Sequence, residues 1–173
     1  MLFGLSLHAY TRLHVLISLI AIASGLVVMY GMLSRKRLDG LTSLFLATTA
    51  LTSVTGLGFP FTGVTPAIKL GVLSLVVLGI AYLARYARHL GGGWRATYVV
   101  TAATALYLNV FVLVVQSFEK VPALKAVAPT QKEAPFAIAQ ISVLVLFVGL
   151  TILAVKRFHP ATVAGTKSVG KAA

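Results

Sequence analysis

The sequence predicts an all-α membrane protein, a transmembrane helical bundle of about five spans. Three observations predict it. The chain of 173 residues is 58% hydrophobic and only 10% charged, with a mean hydropathy of +0.96, far more apolar than an ordinary soluble domain. Its apolar residues gather into runs close to the ~20 residues that the hydrocarbon core of a bilayer demands. Its charges fall in the gaps between those runs, where cations set orientation and meet lipid headgroups. The formal charge of +12 therefore speaks for a membrane surface. It does not speak for nucleic acid, because no basic face interleaved with aromatics is present. The absence of cysteine excludes a disulfide framework, a thiolate metal site and a cysteine nucleophile.

The first span, 14–33, opens at His14 and closes before Arg35, Lys36 and Arg37. Ala21-Ile22-Ala23 before Ser24 resembles a signal-peptide cleavage site, but the apolar run continues past it to Leu33, so an uncleaved helix is expected. The second span, 41–59, is rich in hydroxyls, among them Thr42, Thr48, Thr49, Thr52, Ser53 and Thr55. In lipid these bond back to helix carbonyls or cross to a neighbour, which suits a buried interface. Gly56, Gly58 and Pro60 break it, and Phe59 and Phe61 suit the membrane interface. The third span, 68–87, has Lys69 at one end, close enough to snorkel, and Arg85, Arg88 and His89 at the other. Gly91-Gly92-Gly93 forms a turn, followed by Trp94 and Tyr98 as an aromatic belt beside Arg95. The fourth span is 96–118, and a polar connection leads from it to the fifth, 136–155. Residues 1–158 form one domain. Residues 159–173, rich in Gly, Thr, Ala and Lys, form a flexible cytoplasmic tail.

Helix faces indicate how the spans meet. His14, Ser18, Ala21, Gly25 and Met32 share one stripe of the first helix, and Ala21 with Gly25 lets a second backbone approach. Ala102, Ala105, Asn109, Val112 and Gln116 form a stripe on the fourth, which we expect to be central. Its amides are answered by Thr or Ser of the second helix or by Gln140 of the fifth. Asn109 and Gln116 lie seven residues apart, about 10.5 Å along the axis. With Gln140 and Thr52 they form a candidate intramembrane site. One reading makes them interhelical glue; the other makes them the polar part of a pocket for a quinone headgroup or small solute. His14, Glu119 and Glu133 form a candidate outer polar cluster with donor types that suit a metal or proton site.

No catalytic residue and no metal site is assigned, because no nucleophile elbow, zinc-binding, phosphate-binding or dinucleotide motif is present. The four histidines fall towards the two ends of the spans, which disfavours a haem held between two imidazoles in one protomer. No cofactor is therefore expected under the leading reading, that of a non-enzymatic component or accessory subunit of a membrane assembly. Haem or quinone enters under a redox alternative, and a solute channel or carrier lined by the threonine-rich helix is a further one. The expected partners are the lipid bilayer and either a second copy or other membrane subunits, with no nucleic acid.

The segments HVLISLIAIASGLVVMYGML, TSVTGLGFPF, LYLNVFVLVVQSFEKVPALKAVAPTQKEAPF and the closing VKRF resemble a family of small uncharacterised proteobacterial multi-pass integral membrane proteins. The resemblance runs from about His14 to Phe158. It implies a bacterial inner (cytoplasmic) membrane, and it carries over no activity, cofactor or site residue.

Charge decides the expected orientation. Arg35, Lys36, Arg37, Arg85, Arg88, Arg95, Lys156, Arg157, Lys167 and Lys171 fall on one side, against Arg12, Lys69, Lys120, Lys125 and Lys132 on the other. The richer side is cytoplasmic by the positive-inside rule, so the N-terminus lies outside and the C-terminus inside. A fluorescent reporter that folds only in the cytoplasm, fused after Ala173, is expected to light up. Activity from a periplasm-specific reporter at the same position, with no cytoplasmic signal, would reverse the orientation.

Overall fold

The computed structural model describes residues 4, 6–60, 63 and 65–159. Phe61 and the expected tail from residue 160 onward lie outside the described residues. The elements in order are α1 (Leu7–Leu33), α2 (Asp39–Leu57), α3 (Pro66–Tyr82) running on into a π-helical turn (Leu83–Ala87), α4 (Trp94–Lys120), the short α5 (Pro122–Val127) and α6 (Ala134–Arg157). Among the described residues, five helices are long and apolar enough to cross a membrane. Helices are the natural outcome here, because lipid offers no partner for an unpaired backbone amide.

Most helices extend beyond the apolar runs, and several of their ends are fixed by side chains. α1 starts at Leu7 instead of His14, because Ser6 accepts a hydrogen bond from the Ala9 amide at 3.2 Å. Thr65 caps α3 through the Ile68 amide, with Pro66 in the first helical position. Arg95 donates to the carbonyls of Val155 (2.8 Å) and Phe158 (2.6 Å), closing the C-terminal end of α6 with a cation where the helix dipole favours one. This cation is therefore engaged in the fold. The connection after α4 is also more ordered than a polar loop, since it folds as α5.

α1 to α4 form a ring: α1 packs on α2, α2 on α3, α3 on α4, and α4 back on α1, while α2 and α4 touch only lightly across the middle. α4 contacts each of the other four spans, the central place expected for it. Its small residues explain why. Ala102, Ala103 and Ala105 are all buried and let backbones approach from several sides. α6 leans on α4 and α1 from outside the ring, and most of its apolar side chains, Ile138, Val145 and Ile152 among them, are exposed as lipid-facing groups would be.

One half of the ring is solid. Val28, Met29, Met32, Phe45, Leu46, Leu78, Val99 and Leu106 pack into a continuous core, and the space bounded by Gly25, Phe45 and Leu106 has no room for a water molecule. Gly25 is the hinge of this packing. A Cβ there would lie 2.6 Å from Leu106 and 2.8 Å from the Phe45 ring.

The solid half contains a feature that the sequence reading misassigned. Arg85 was counted with the loop cations, and Tyr98 with an aromatic belt. In the structure Arg85 is 4% exposed and Tyr98 is 1% exposed. The Arg85 guanidinium pairs with Asp39 in the first turn of α2, which Arg37 also engages at 2.7 Å. It also lies 5.3 Å from the centre of the Tyr98 ring and 5.6 Å from that of Tyr86. A signal was available: Ser74, Leu78, Ala81 and Arg85 follow one another at spacings of four, three and four, which is the buried stripe of α3. The chain then turns back with His89 and Leu90 in the left-handed region (φ 50° and 58°). The Leu90 amide bonds to the Ala84 carbonyl at 3.1 Å.

Replacing Gly25 by Leu is expected to overpack the ring and cost about 1–3 kcal/mol. Gly79→Ala, where nothing lies within 4 Å of the added Cβ, is expected to be neutral or mildly stabilising. Thermal unfolding of the purified variants in detergent checks both; equal stability for the two would contradict this packing.

Candidate functional site: a polar cavity between four helices

The other half of the ring is hollow. A cavity of about 450 Å³ lies between α1, α2, α3 and α4, at the end of the bundle that carries the α1 N-terminus. Its size falls in the range of small-molecule pockets. Apolar side chains make up most of the wall, including Val15, Leu19, Ile22, Leu70, Leu108 and Val112. The polar groups are few: Thr11, His14 and Ser18 from α1, Thr52 and Ser53 from α2, and Asn109, Gln116 and Lys120 from α4. The cavity therefore joins the polar stripes of α1 and α4 to the hydroxyl face of α2.

Local geometry fixes how these groups are presented. Asn109 donates through Nδ2 to the Thr49 hydroxyl at 3.2 Å, which leaves its carbonyl oxygen without a hydrogen bond among the described residues. Ser53 donates to the Thr49 carbonyl and lies 3.0 Å from the Ser74 hydroxyl of α3. The Ser43, Thr48, Ser53 and Thr55 hydroxyls all bond back to the carbonyl one turn earlier in α2. Thr52 does not. Its hydroxyl is buried and has no hydrogen-bond partner among the described residues, although other atoms of Thr52 line the cavity. A buried hydroxyl without a partner is uncommon, and this one lies just behind the cavity wall.

At the mouth, His14 is held on two sides. Its Nδ1 lies 2.8 Å from the Thr55 hydroxyl, and the ring meets Phe59 edge-on with centroids 5.3 Å apart. Tyr10 donates to the Thr55 carbonyl at 2.8 Å and so steadies the same turn. Lys120 makes no ion pair among the described residues, and no carboxylate lines the cavity.

Of the residues singled out from sequence, Asn109, Gln116, Thr52 and His14 are thus brought to one cavity. Gln140 is not. It faces a different side of α4, where its Nε2 donates to the Phe111 carbonyl at 3.2 Å, so it serves α4–α6 packing. The outer cluster also separates. Glu119 accepts from Gln116 at 3.3 Å. Glu133 turns into its own loop, where the Thr130 hydroxyl (2.8 Å) and the Thr130 and Lys132 amides bond it. Slight desolvation works to raise the Glu133 carboxyl, but these hydrogen bonds outweigh it and hold the group below its ordinary value. Local bonds of three residues or fewer are cheaper to close than a long-range cluster, which is why the carboxylates do not meet His14.

No family model, no curated protein and no solved structure matches this chain.

Among the described residues, no three His, Asp or Glu side chains gather into a metal-binding group. His8 and His14 lie near the start of α1, and His89 and His159 follow the far ends of α3 and α6, so the two pairs sit at opposite ends of the bundle. The sequence reading did not single out Lys120 or Ser18 as site residues, though Ser18 already belongs to the α1 stripe and Lys120 continues that of α4, four residues after Gln116.

Thr52→Val removes a hydroxyl with no partner and is expected to leave stability unchanged or raise it. Thr49→Val strands the Asn109 amide and is expected to cost about 0.6 kcal/mol, the average for an interhelical hydrogen bond in a membrane. Unfolding of both variants in mixed micelles reads the difference; a larger loss for Thr52→Val would mean that its hydroxyl is structural.

Proposed function

We propose that this chain is a non-enzymatic component of a bacterial inner membrane that binds a small, lipid-soluble molecule with a polar head inside its bundle. The observation that carries the reading is the cavity, whose apolar wall presents His14, Thr52, Asn109, Gln116 and Lys120 together. Mostly apolar walls with a few converging polar groups are what small-molecule sites require. Polar residues at membrane depth also carry function more often than polar residues elsewhere. Pure interhelical glue accounts for Asn109 with Thr49 and for Ser53 with Ser74. It does not account for Thr52, or for the hollow that the polar groups share.

The channel or carrier reading is less well supported, because the cavity ends on the Gly25–Phe45–Leu106 layer, where no water fits. A quinone is one molecule of the right kind, with an apolar tail, carbonyls that accept from the amide and ammonium donors, and hydroxyls that donate in its reduced form. The accessory-subunit role is compatible with ligand binding, a second copy or other membrane subunits being the partners. The N-terminus outside and the C-terminus inside would open the cavity towards the outer leaflet.

Native mass spectrometry of the full chain, purified in a mild detergent, is expected to retain one dominant lipid-soluble adduct. Ser18→Trp, which fills the cavity from α1, is expected to lose it while remaining folded. Absence of any adduct, together with failure to bind added decyl-quinone, would refute the proposal. A Soret band in the purified protein would instead favour haem.

A further inference from the structure

We infer that His14 is a hydrogen-bond acceptor for a hydroxyl group on the bound molecule, so that the ligand class is an apolar molecule with a phenolic or alcoholic head. This rests on the cavity being a binding site and names the chemistry that the site selects.

The argument begins with the single proton of the Thr55 hydroxyl. That oxygen lies 2.7 Å from the Leu51 carbonyl and 3.2 Å from the Thr52 carbonyl, so the proton is directed along the helix backbone, as in the neighbouring hydroxyls of α2. Only lone pairs remain towards α1. His14 Nδ1, 2.8 Å away, must then carry the hydrogen of that contact. A neutral imidazole protonated at Nδ1 has a bare Nε2. The Tyr10 hydroxyl, bonded to the Thr55 carbonyl, and the edge of Phe59 hold the ring in this pose.

Nε2 makes no hydrogen bond among the described residues, and His14 lines the cavity. An acceptor nitrogen in a mostly apolar chamber selects a ligand that can donate. The other groups at this end complement such a head. Lys120 and the remaining N–H of the Gln116 amide offer donors to a second oxygen, and Thr52 with the free Asn109 carbonyl oxygen completes the polar lining deeper in. No carboxylate faces His14 from α1, α2, α3 or α4 within the cavity, so a cationic head would meet Lys120 without compensation.

The test compares 4-nonylphenol with its methyl ether, 4-nonylanisole, binding to the full chain in nanodiscs. The two differ by one donated proton. The phenol is expected to bind about tenfold more tightly, the worth of one well-made hydrogen bond. His14→Phe and Thr55→Val are each expected to erase that preference while both probes still bind. Nitrogen NMR of 15N-histidine-labelled protein above neutral pH should find His14 protonated at Nδ1. Equal binding of the two probes by the unaltered chain would overturn the role of His14 and leave the cavity as a site. A neutral ring protonated at Nε2, or a preference that survives His14→Phe, would do the same. Failure of both probes to bind would overturn the cavity reading along with it.

Discussion

The contact on which the rest of this bundle depends is the approach of α1 to α2 and α4 at Gly25. With no side chain there, the Phe45 ring and Leu106 meet the backbone of α1 directly. In lipid there is no water to drive helices together, so van der Waals contact between closely fitted surfaces has to do it. The Gly25 layer makes that contact dense, and below it the core is filled to the Arg85 end. Above it α1, α2 and α3 carry Ser18, Thr52, Gly56 and Gly71, which are too small to reach across the ring. Light contact between α2 and α4 follows. The hollow is thus a consequence of where packing is good, and the polar groups of α1, α2 and α4 gather along it.

The opposite end is closed by charge as much as by packing. A buried guanidinium is expensive to desolvate, and a partner that is itself exposed repays only part of that cost. Asp39 is 60% exposed, so the pair alone does not explain why Arg85 stays inside. The rings of Tyr98 and Tyr86 supply the rest of its surroundings. The π-helical turn that carries Arg85 is the sort of local departure that recurs where a helix must present a polar group. One consequence is geometric: the first turn of α2 is tied to the last turn of α3, so the two ends of the α2–α3 pair are fixed independently, by charge at one and by Thr65 and Pro66 at the other.

Much of this architecture is legible in the sequence, and the reasons are physical. Bilayer thickness sets helix length, so all five spans could be read from apolar run lengths, including the short α2. Small residues on α4 announced its central position, and the stripes of α1 and α4 contain five of the cavity residues, His14, Ser18, Asn109, Val112 and Gln116. The expected answer to Asn109 from a threonine of α2 was found; what failed was the side of a helix that a residue faces and the partner that reaches it first. Gln140 was grouped with Asn109 and Gln116 as an amide of a neighbouring span, but residue type does not say which side of α4 faces α6. Glu133 looked available to His14, but it was taken by Thr130 three residues away. Arg85 and Asp39 were invisible as a pair because charges at span ends are assigned to loops by default, even though the spacing of Ser74, Leu78, Ala81 and Arg85 had already turned Arg85 inward.

The polar inventory of the cavity also narrows the chemistry of the ligand proposed for it. Asn109 has spent a donor on Thr49 and Gln116 has spent one on Glu119, so each amide presents its carbonyl oxygen with one N–H left. Thr52 holds a hydroxyl just behind the wall, and His14 presents one ring nitrogen. Acceptors therefore outweigh what the apolar wall alone would suggest, and among the described lining residues the only full charge is the ammonium of Lys120 at the mouth. A purely apolar molecule would leave these groups desolvated without partners, and each unmet group costs more than a made bond returns. A metal cation would find no carboxylate. A head group that both donates and accepts, carried on an apolar body, leaves the fewest polar groups unmet, and it matches a chamber that is wet on one stripe and greasy everywhere else.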